Sequence, residues 1–182
     1  MDSNRIALNE INISDDTYRY HYPKYHAAPL RRSIREHGIL TPCLLESTDA
    51  GYRIVHGFRR IAIAHEGKME SVPALISDNS SLEHLKGSLI DNRVQGEFNL
   101  YEQAKALEIA GKLGASESTI IEEFLPLVGL HAHKNVYDEY RGFLRIPLQL
   151  IDFFVEKDIA ISRTQIFQKL TPEGQSVAVE LL

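Results

Sequence analysis

Tyr52-Arg53-Ile54-Val55-His56-Gly57-Phe58-Arg59-Arg60 passes from a strand-forming run through a glycine into a helix. Tyr52 to Val55 has strand character, Gly57 allows the backbone to turn sharply, and Phe58 opens a helix to about His65 that ends at Gly67. Unsatisfied N–H groups at a helix start point outward with partial positive charge, and a phosphate oxygen can sit there. Arg59 and Arg60 add planar guanidinium forks that match phosphate geometry. Successive helical residues project about 100° apart, so each arginine would meet a different part of a polyphosphate. A solvated helix start with two surface arginines fits the same four residues, and the motif alone leaves both readings open.

On either side of this stretch, strands and helices alternate. Ile6, Leu8, Ile11 and Ile13 predict a short strand with a break near Asn9, and the polar, Tyr- and His-rich residues 14–26 predict a loop. Pro29 opens a helix and Gly38 closes it, with Leu30 and Ile34 facing inward. Strands follow at 41–46 and 52–55, joined by a turn at Asp49-Ala50-Gly51, and Val72 to Ile76 predicts a buried strand. The pattern predicts an α/β (α+β) domain over residues 1–96.

Residues 97–182 predict an all-helical domain. Leu82, Leu85, Leu89 and Ile90 mark an amphipathic helix leading up to it. Asn99 with Glu102 has the form of a capping box, as does Ser162 with Gln165 ahead of Ile166 and Leu170. Ser118 is placed to cap a helix carrying Phe124, Leu125 and Val128, which Gly129 ends. Val136, Tyr140 and Phe143 mark a further helix, Pro147 starts another, and Thr171-Pro172-Glu173 begins the last.

The 182 residues carry a net charge of −5 and hold one cysteine, Cys43. No apolar run is long enough to span a bilayer, and residues 1–5 lack a signal-peptide plan. One cysteine supports neither a disulfide framework nor a cysteine zinc site, so a cytoplasmic location is expected. Charge is uneven: residues 15–60 hold eight Arg or Lys against five acids, whereas residues 61–130 hold five against eleven. The basic region coincides with the Gly-x-Arg-Arg motif.

Four ordered blocks resemble the N-terminal domain of ParB-type partition proteins. They are Ser33-Ile34-Arg35-Glu36-His37-Gly38-Ile39-Leu40-Thr41-Pro42, then Tyr52 to Ala62, then Val72-Pro73-Ala74-Leu75-Ile76, then Asp91-Asn92-Arg93-Val94-Gln95 with Phe98-Asn99 and Glu102-x-Ala104. The resemblance runs from residue 5 to about 170. It implies a ParB/sulfiredoxin-like domain that binds CTP with Mg2+, a helix-turn-helix DNA-binding domain, a homodimer, and a role in chromosome or plasmid partition or in transcriptional regulation. By that resemblance His56, Gly57, Phe58, Arg59 and Arg60 surround the triphosphate and Thr41 and Pro42 border the pocket. Asn92 contacts phosphate, and Asp91 stands where the family has the glutamate near the metal, a hard oxygen donor for a hard cation.

The sequence departs from the family at three points. Phe58 replaces the usual Glu, and Gln95 stands at the position of an Arg. Both changes remove polar contacts, so binding is expected ahead of hydrolysis, with at most weak CTPase activity. A typical member also carries a C-terminal dimerisation domain; none follows the helical part here, which fits a shortened chain or a shorter relative.

The span from Ile120 to Phe143 is similar to a helix-turn-helix, with the turn at Leu130-His131-Ala132-His133. Its second helix would offer Lys134, Asn135 and Arg141 to phosphates or base edges. Pro126 should kink the first helix, and Asp138 and Glu139 lie on the second, which also suits a plain helical bundle. His131-x-His133 lacks the partners a metal site needs. Residues 56–60 hold no cysteine for sulfiredoxin chemistry, and Walker and Gly-x-Ser-x-Gly patterns are absent. The alternatives are a small-molecule phosphotransferase or NTPase on the same fold, and a ligand-free protein-interaction module.

Overall fold

The structure, a computed structural model, describes residues 4–24 and 27–182, the side chain of Gln95 excepted. Tyr25 and His26 of the expected loop, and the substitution at Gln95, therefore lie outside the described residues. The chain divides into two compact units: Met1–Arg19 with Pro23–His84, and Tyr20–Tyr22 with Leu85–Leu182. The sequence expectation placed this limit later, after residue 96.

The first unit is a five-stranded mixed sheet with helices. Its strands are β1 (Asn4–Ala7), β2 (Ile11–Asn12), β3 (Cys43–Thr48), β4 (Gly51–His56) and β5 (Ser71–Ser77), in the order β1-β5-β3-β4-β2. The break expected near Asn9 is a 3-10 turn, Leu8–Glu10. It carries the chain from one edge of the sheet to the other, because β1 pairs antiparallel with β5 whereas β2 pairs parallel with β4. Ile6, Leu8 and Ile11 are all buried along this path.

β3 and β4 form an antiparallel hairpin with Thr48 opposite Gly51. Gly51 has φ +121°, and a Cβ there would lie 2.4 Å from the carbonyl oxygen of Glu10, so only glycine fits. Helix α1 (Ala28–His37) has proline in its first turn and stops at Gly38, and α2 is Phe58–Glu66.

The polar segment before α1 does not lie wholly on the surface. Tyr18 has no exposed area. Its hydroxyl donates to Glu46 Oε2 at 3.1 Å, and its ring meets His84 edge-on. Tyrosine can be buried in this way once its hydroxyl finds a partner.

The second unit is all helical. Helix α3 (Ser81–Gln95) enters it after its first turn, and α4 (Leu100–Lys112) follows. The Asn99–Glu102 capping box is present in full. Residues 20–22 are fastened within this unit: Tyr20 donates to the Ser88 carbonyl at 3.0 Å and Tyr22 to Asp152 Oδ1 at 2.7 Å.

The expected helix before Gly129 comprises α5 (Glu117–Thr119), a π-helical turn (Ile120–Phe124) and α6 (Leu125–Leu127). Its cap is Ser116, not Ser118; Ser116 Oγ accepts from the Thr119 amide at 3.1 Å. The π turn ends two residues before Pro126, which has no N–H to continue an α-helical ladder.

Helices α7 (Lys134–Phe143), α8 (Leu148–Glu156), α9 (Ile161–Gln168) and α10 (Pro172–Glu180) complete the chain. Ser162 does not cap α9. The chain is already extended at Ala160 and the helix starts at Ile161, which places Ser162 inside it. Ile166, expected to face inward, is 63 % exposed. Thr171 caps α10, accepting from Gly174 N at 3.3 Å.

Candidate functional site

The Gly57 bend is built from three elements of the first unit: the end of β4, the start of α2 and the chain leading into β3. Gly57 is the cap residue of α2, with φ +102° and ψ 19°. A Cβ at this position would meet Cys43 Sγ at 2.8 Å and Arg60 Nη2 at 3.1 Å. Glycine is needed here for both its conformation and its lack of volume. As a cap it brings no side chain to the first N–H groups of the helix.

Arg60 Nη1 donates to the backbone carbonyls of Thr41 and, at 2.9 Å, of Pro42. Thr41 is exposed and Pro42 half-buried, while Cys43 beside them has no exposed area. Burial pushes the Cys43 thiol up, and the nearby Arg60 charge opposes this without reversing it. The thiol therefore stays protonated and inert at neutral pH.

Arg59 and His56 are half-buried. Phe58, the substitution for the family's glutamate, is 5 % exposed and belongs to the core. The Arg19 guanidinium lies 5.1 Å from its ring centroid, a cation–π contact. At the end of α2, Glu66 forms a two-pronged pair with Arg31 of α1, which holds that carboxyl below its usual range.

Thr41, Pro42, His56, Gly57, Phe58, Arg59 and Arg60 are thus brought together in the first unit. Asp91 and Asn92 lie on α3 in the second unit, Asp91 exposed and Asn92 half-buried. Among the described residues no group of three or more His, Cys, Asp or Glu could hold a metal by itself.

A second polar cluster in the first unit was not anticipated from sequence. Arg53 Nε donates to Asp15 Oδ2 at 2.6 Å, and Arg53 Nη1 to Glu46 Oε2 at 3.3 Å. Buried His84 shares a hydrogen bond with Ser77 Oγ at 2.9 Å, and its other ring nitrogen lies 3.8 Å from Glu46. Burial raises the Asp15 carboxyl, but bonds from Thr17 and Arg53 outweigh it and hold the group low. The alternation of Glu46 and Arg53 on facing strands was the available signal.

In the second unit the three side chains expected at a DNA interface all start from α7. Asn135 is exposed. Lys134 Nζ donates to Glu117 Oε1 at 2.5 Å and lies 3.7 Å from Asp138. Arg141 stands 3.9 Å from Asp138 and 5.8 Å from the Tyr137 ring. Glu139 is turned toward α9, where Gln165 Nε2 donates to Glu139 Oε1 at 2.6 Å. A groove of about 530 Å³ runs beside α7, lined in part by Asn135, Arg141, Arg145 and Lys169.

Residues 2–93 match the model of the ParB N-terminal domain. The chain belongs to that family. Chromosome-partitioning protein Spo0J of Thermus thermophilus is 26 % identical over 171 residues, covering 94 % of this chain and 61 % of that protein. The chain thus spans less than two thirds of that relative's length. A nucleoid occlusion protein of Bacillus licheniformis is 29 % identical over 196 residues, covering 90 % of this ParB-family chain and 69 % of the relative. Among solved structures, the C-terminally truncated ParB of Caulobacter crescentus, complexed to the centromeric parS site, superposes with a TM-score of 0.51 at 15 % identity. The match covers 98 % of this chain and 90 % of that one, a likeness of fold. The mixed sheet with its helices is the ParB N-terminal fold. No helix among the described residues is long and apolar enough to cross a membrane.

Proposed function

We propose that this ParB-family protein binds CTP with Mg2+ at the Gly57 bend, binds DNA through α7, and serves chromosome or plasmid partition as a homodimer. The observation that carries the nucleotide part is the left-handed glycine cap of α2, packed on Cys43, with Arg59 and Arg60 in the turn that follows. A helix start without a capping side chain attracts an anion, and guanidinium groups beside it add charge-assisted hydrogen bonds. Magnesium, when bound, would neutralise phosphate charge, and Asp91 is its candidate protein ligand. Asn92 is a further phosphate contact; the assignment of both rests on the Asp91-Asn92-Arg93 block.

The DNA part is supported by family membership and by the exposed polar face of α7. Lys134 and Arg141 would contact phosphates and Asn135 a base edge. A Caulobacter relative has been seen on its parS site, and an equivalent centromere-like site is the DNA class proposed here.

Binding of CTP, ATP, GTP and ADP, each with and without Mg2+, tests the proposal. Magnesium-dependent preference for CTP, with slow turnover or none, is the expected result. Rapid phosphate transfer from ATP to a metabolite would point to a phosphotransferase, and no binding at all to an interaction module. Arg59→Ala should abolish nucleotide binding; persistence of full affinity would contradict the site.

A further inference from the structure

We propose that His133 is a positioning residue for the α7 surface. Its neutral imidazole caps the helix and holds Lys134 and Asn135 in place, so acidification loosens the helix start and weakens DNA binding there. The capping part stands by itself, and the DNA part rests on the reading of α7 given above.

The chain is extended at His133, with φ −144° and ψ 138°, and becomes helical at Lys134. His133 Nδ1 accepts from the Asn135 amide at 3.2 Å. The His133 carbonyl accepts from the Tyr137 amide, also at 3.2 Å, which begins the ladder of the helix. Serine, threonine, aspartate and asparagine commonly fill such a position, because a side-chain oxygen accepts from the second or third amide. His133 fills it with a ring nitrogen, and a ring nitrogen accepts only while it carries no proton. Protonation makes Nδ1 a donor, which sets an N–H against the N–H of Asn135. It also sets a positive charge against the positive end of the helix. A hydroxyl cap undergoes neither change.

Histidine is the side chain whose charge ordinarily changes between about pH 5 and pH 8. The other charged and titratable groups about this turn are Lys134 and Asp138 on α7, Glu117 on α5, Glu122 and Glu123 on the π-helical turn, and His131. Glu117 and Asp138 stand beside Lys134, and Glu123 pairs with Lys86 at 2.7 Å. His131 enters the turn through its backbone, where its carbonyl accepts from the His133 amide at 2.8 Å. Among the described residues, His133 is the side chain that caps α7. Lys134 and Asn135 are the first two residues of that helix, so the turn closed by the cap sets the direction of both. Asn135 also supplies the amide that the ring holds.

The test compares wild type, His133→Ser, His133→Ala and His131→Ala in the full chain, each at about pH 8 and about pH 5.5. Amide exchange at residues 135–137, corrected for the intrinsic effect of pH, reads the cap. Titration with a duplex carrying a parS site reads the surface. Wild-type protection at 135–137 should fall about fivefold on acidification, the size of one lost cap. His133→Ser should stay protected at both pH values, and His133→Ala should be poorly protected at both. His131→Ala should follow wild type. Acid adds positive charge to every histidine and so favours DNA by itself, which makes His133→Ser the reference. Relative to that variant, wild-type affinity should drop about threefold or more between the two pH values. Equal pH responses in wild type and His133→Ser, or full protection in His133→Ala, would overturn the assignment. If wild type binds the duplex at neither pH, the DNA reading of α7 fails and the positioning task with it, while exchange still decides whether His133 caps the helix.

Discussion

The Gly57 bend and the α7 surface both present cations, but they hold them in opposite ways. At the bend Arg60 is tied to neutral backbone carbonyls, so its charge remains available to an anion. On α7, Lys134 and Arg141 stand beside Glu117 and Asp138, which cancel much of their field. A carbonyl orients a cation without neutralising it, whereas a carboxylate does both. That difference is what the proposed nucleotide site requires of the bend. DNA bound by α7 must compete with carboxylates already in place, so that affinity should be modest and steeply salt-dependent.

The largest expected effect is at the bend itself. Gly57→Val should abolish nucleotide binding and destabilise the protein by about 2–5 kcal/mol, combining left-handed backbone strain with overpacking against Cys43. Urea denaturation and nucleotide titration check this; a variant with wild-type stability and affinity would break the contrast. On α7 the change runs the other way. Glu117→Gln with Asp138→Asn should raise affinity for duplex DNA about three- to tenfold at low salt, with the gain shrinking as salt is added. Unchanged or weakened binding in electrophoretic shift assays would show that α7 does not face DNA.

The Asp15–Arg53 pair gives a smaller, pH-dependent effect. The Asp15 carboxyl is held below its ordinary value in the folded state, so its stabilisation is complete above the unfolded value of about 4 and fades as pH falls through the folded one. Asp15→Asn should cost about 1–2 kcal/mol at pH 7, a figure discounted because Arg53 is partly exposed. It should also flatten the decline of stability between about pH 5 and pH 2. Thermal unfolding across that range checks the sign. Smallest of all, Glu66→Gln removes an exposed pair with Arg31 and should leave stability and nucleotide affinity unchanged within error.

What could be read from sequence followed from how local each signal was. Helix α1, the β3–β4 hairpin, α2, β5 and the Asn99–Glu102 box each depend on residues within a few positions of one another, and all are present. The two edge strands were harder, since alternation in Ile6, Leu8 and Ile11 does not say which neighbour each piece pairs with. Tyr18 lies in the expected loop, but its burial was not legible, because its hydroxyl is met by Glu46, a distant partner. Ser118 and Ser162 looked like caps because serine spacing suits several registers, and the backbone chose Ser116 and Ala160. At the bend, Gly57 and the arginine pair were legible as a motif. The commitment of Arg60 to Thr41 and Pro42 was not, because backbone acceptors leave no mark in a sequence.

The central claim, a triphosphate seated on the glycine bend, is tested most directly by amide chemical shifts of the labelled protein titrated with CTP and Mg2+. The account predicts the largest changes at Gly57, Phe58 and Arg59. Saturable binding that leaves those three amides unmoved would contradict it.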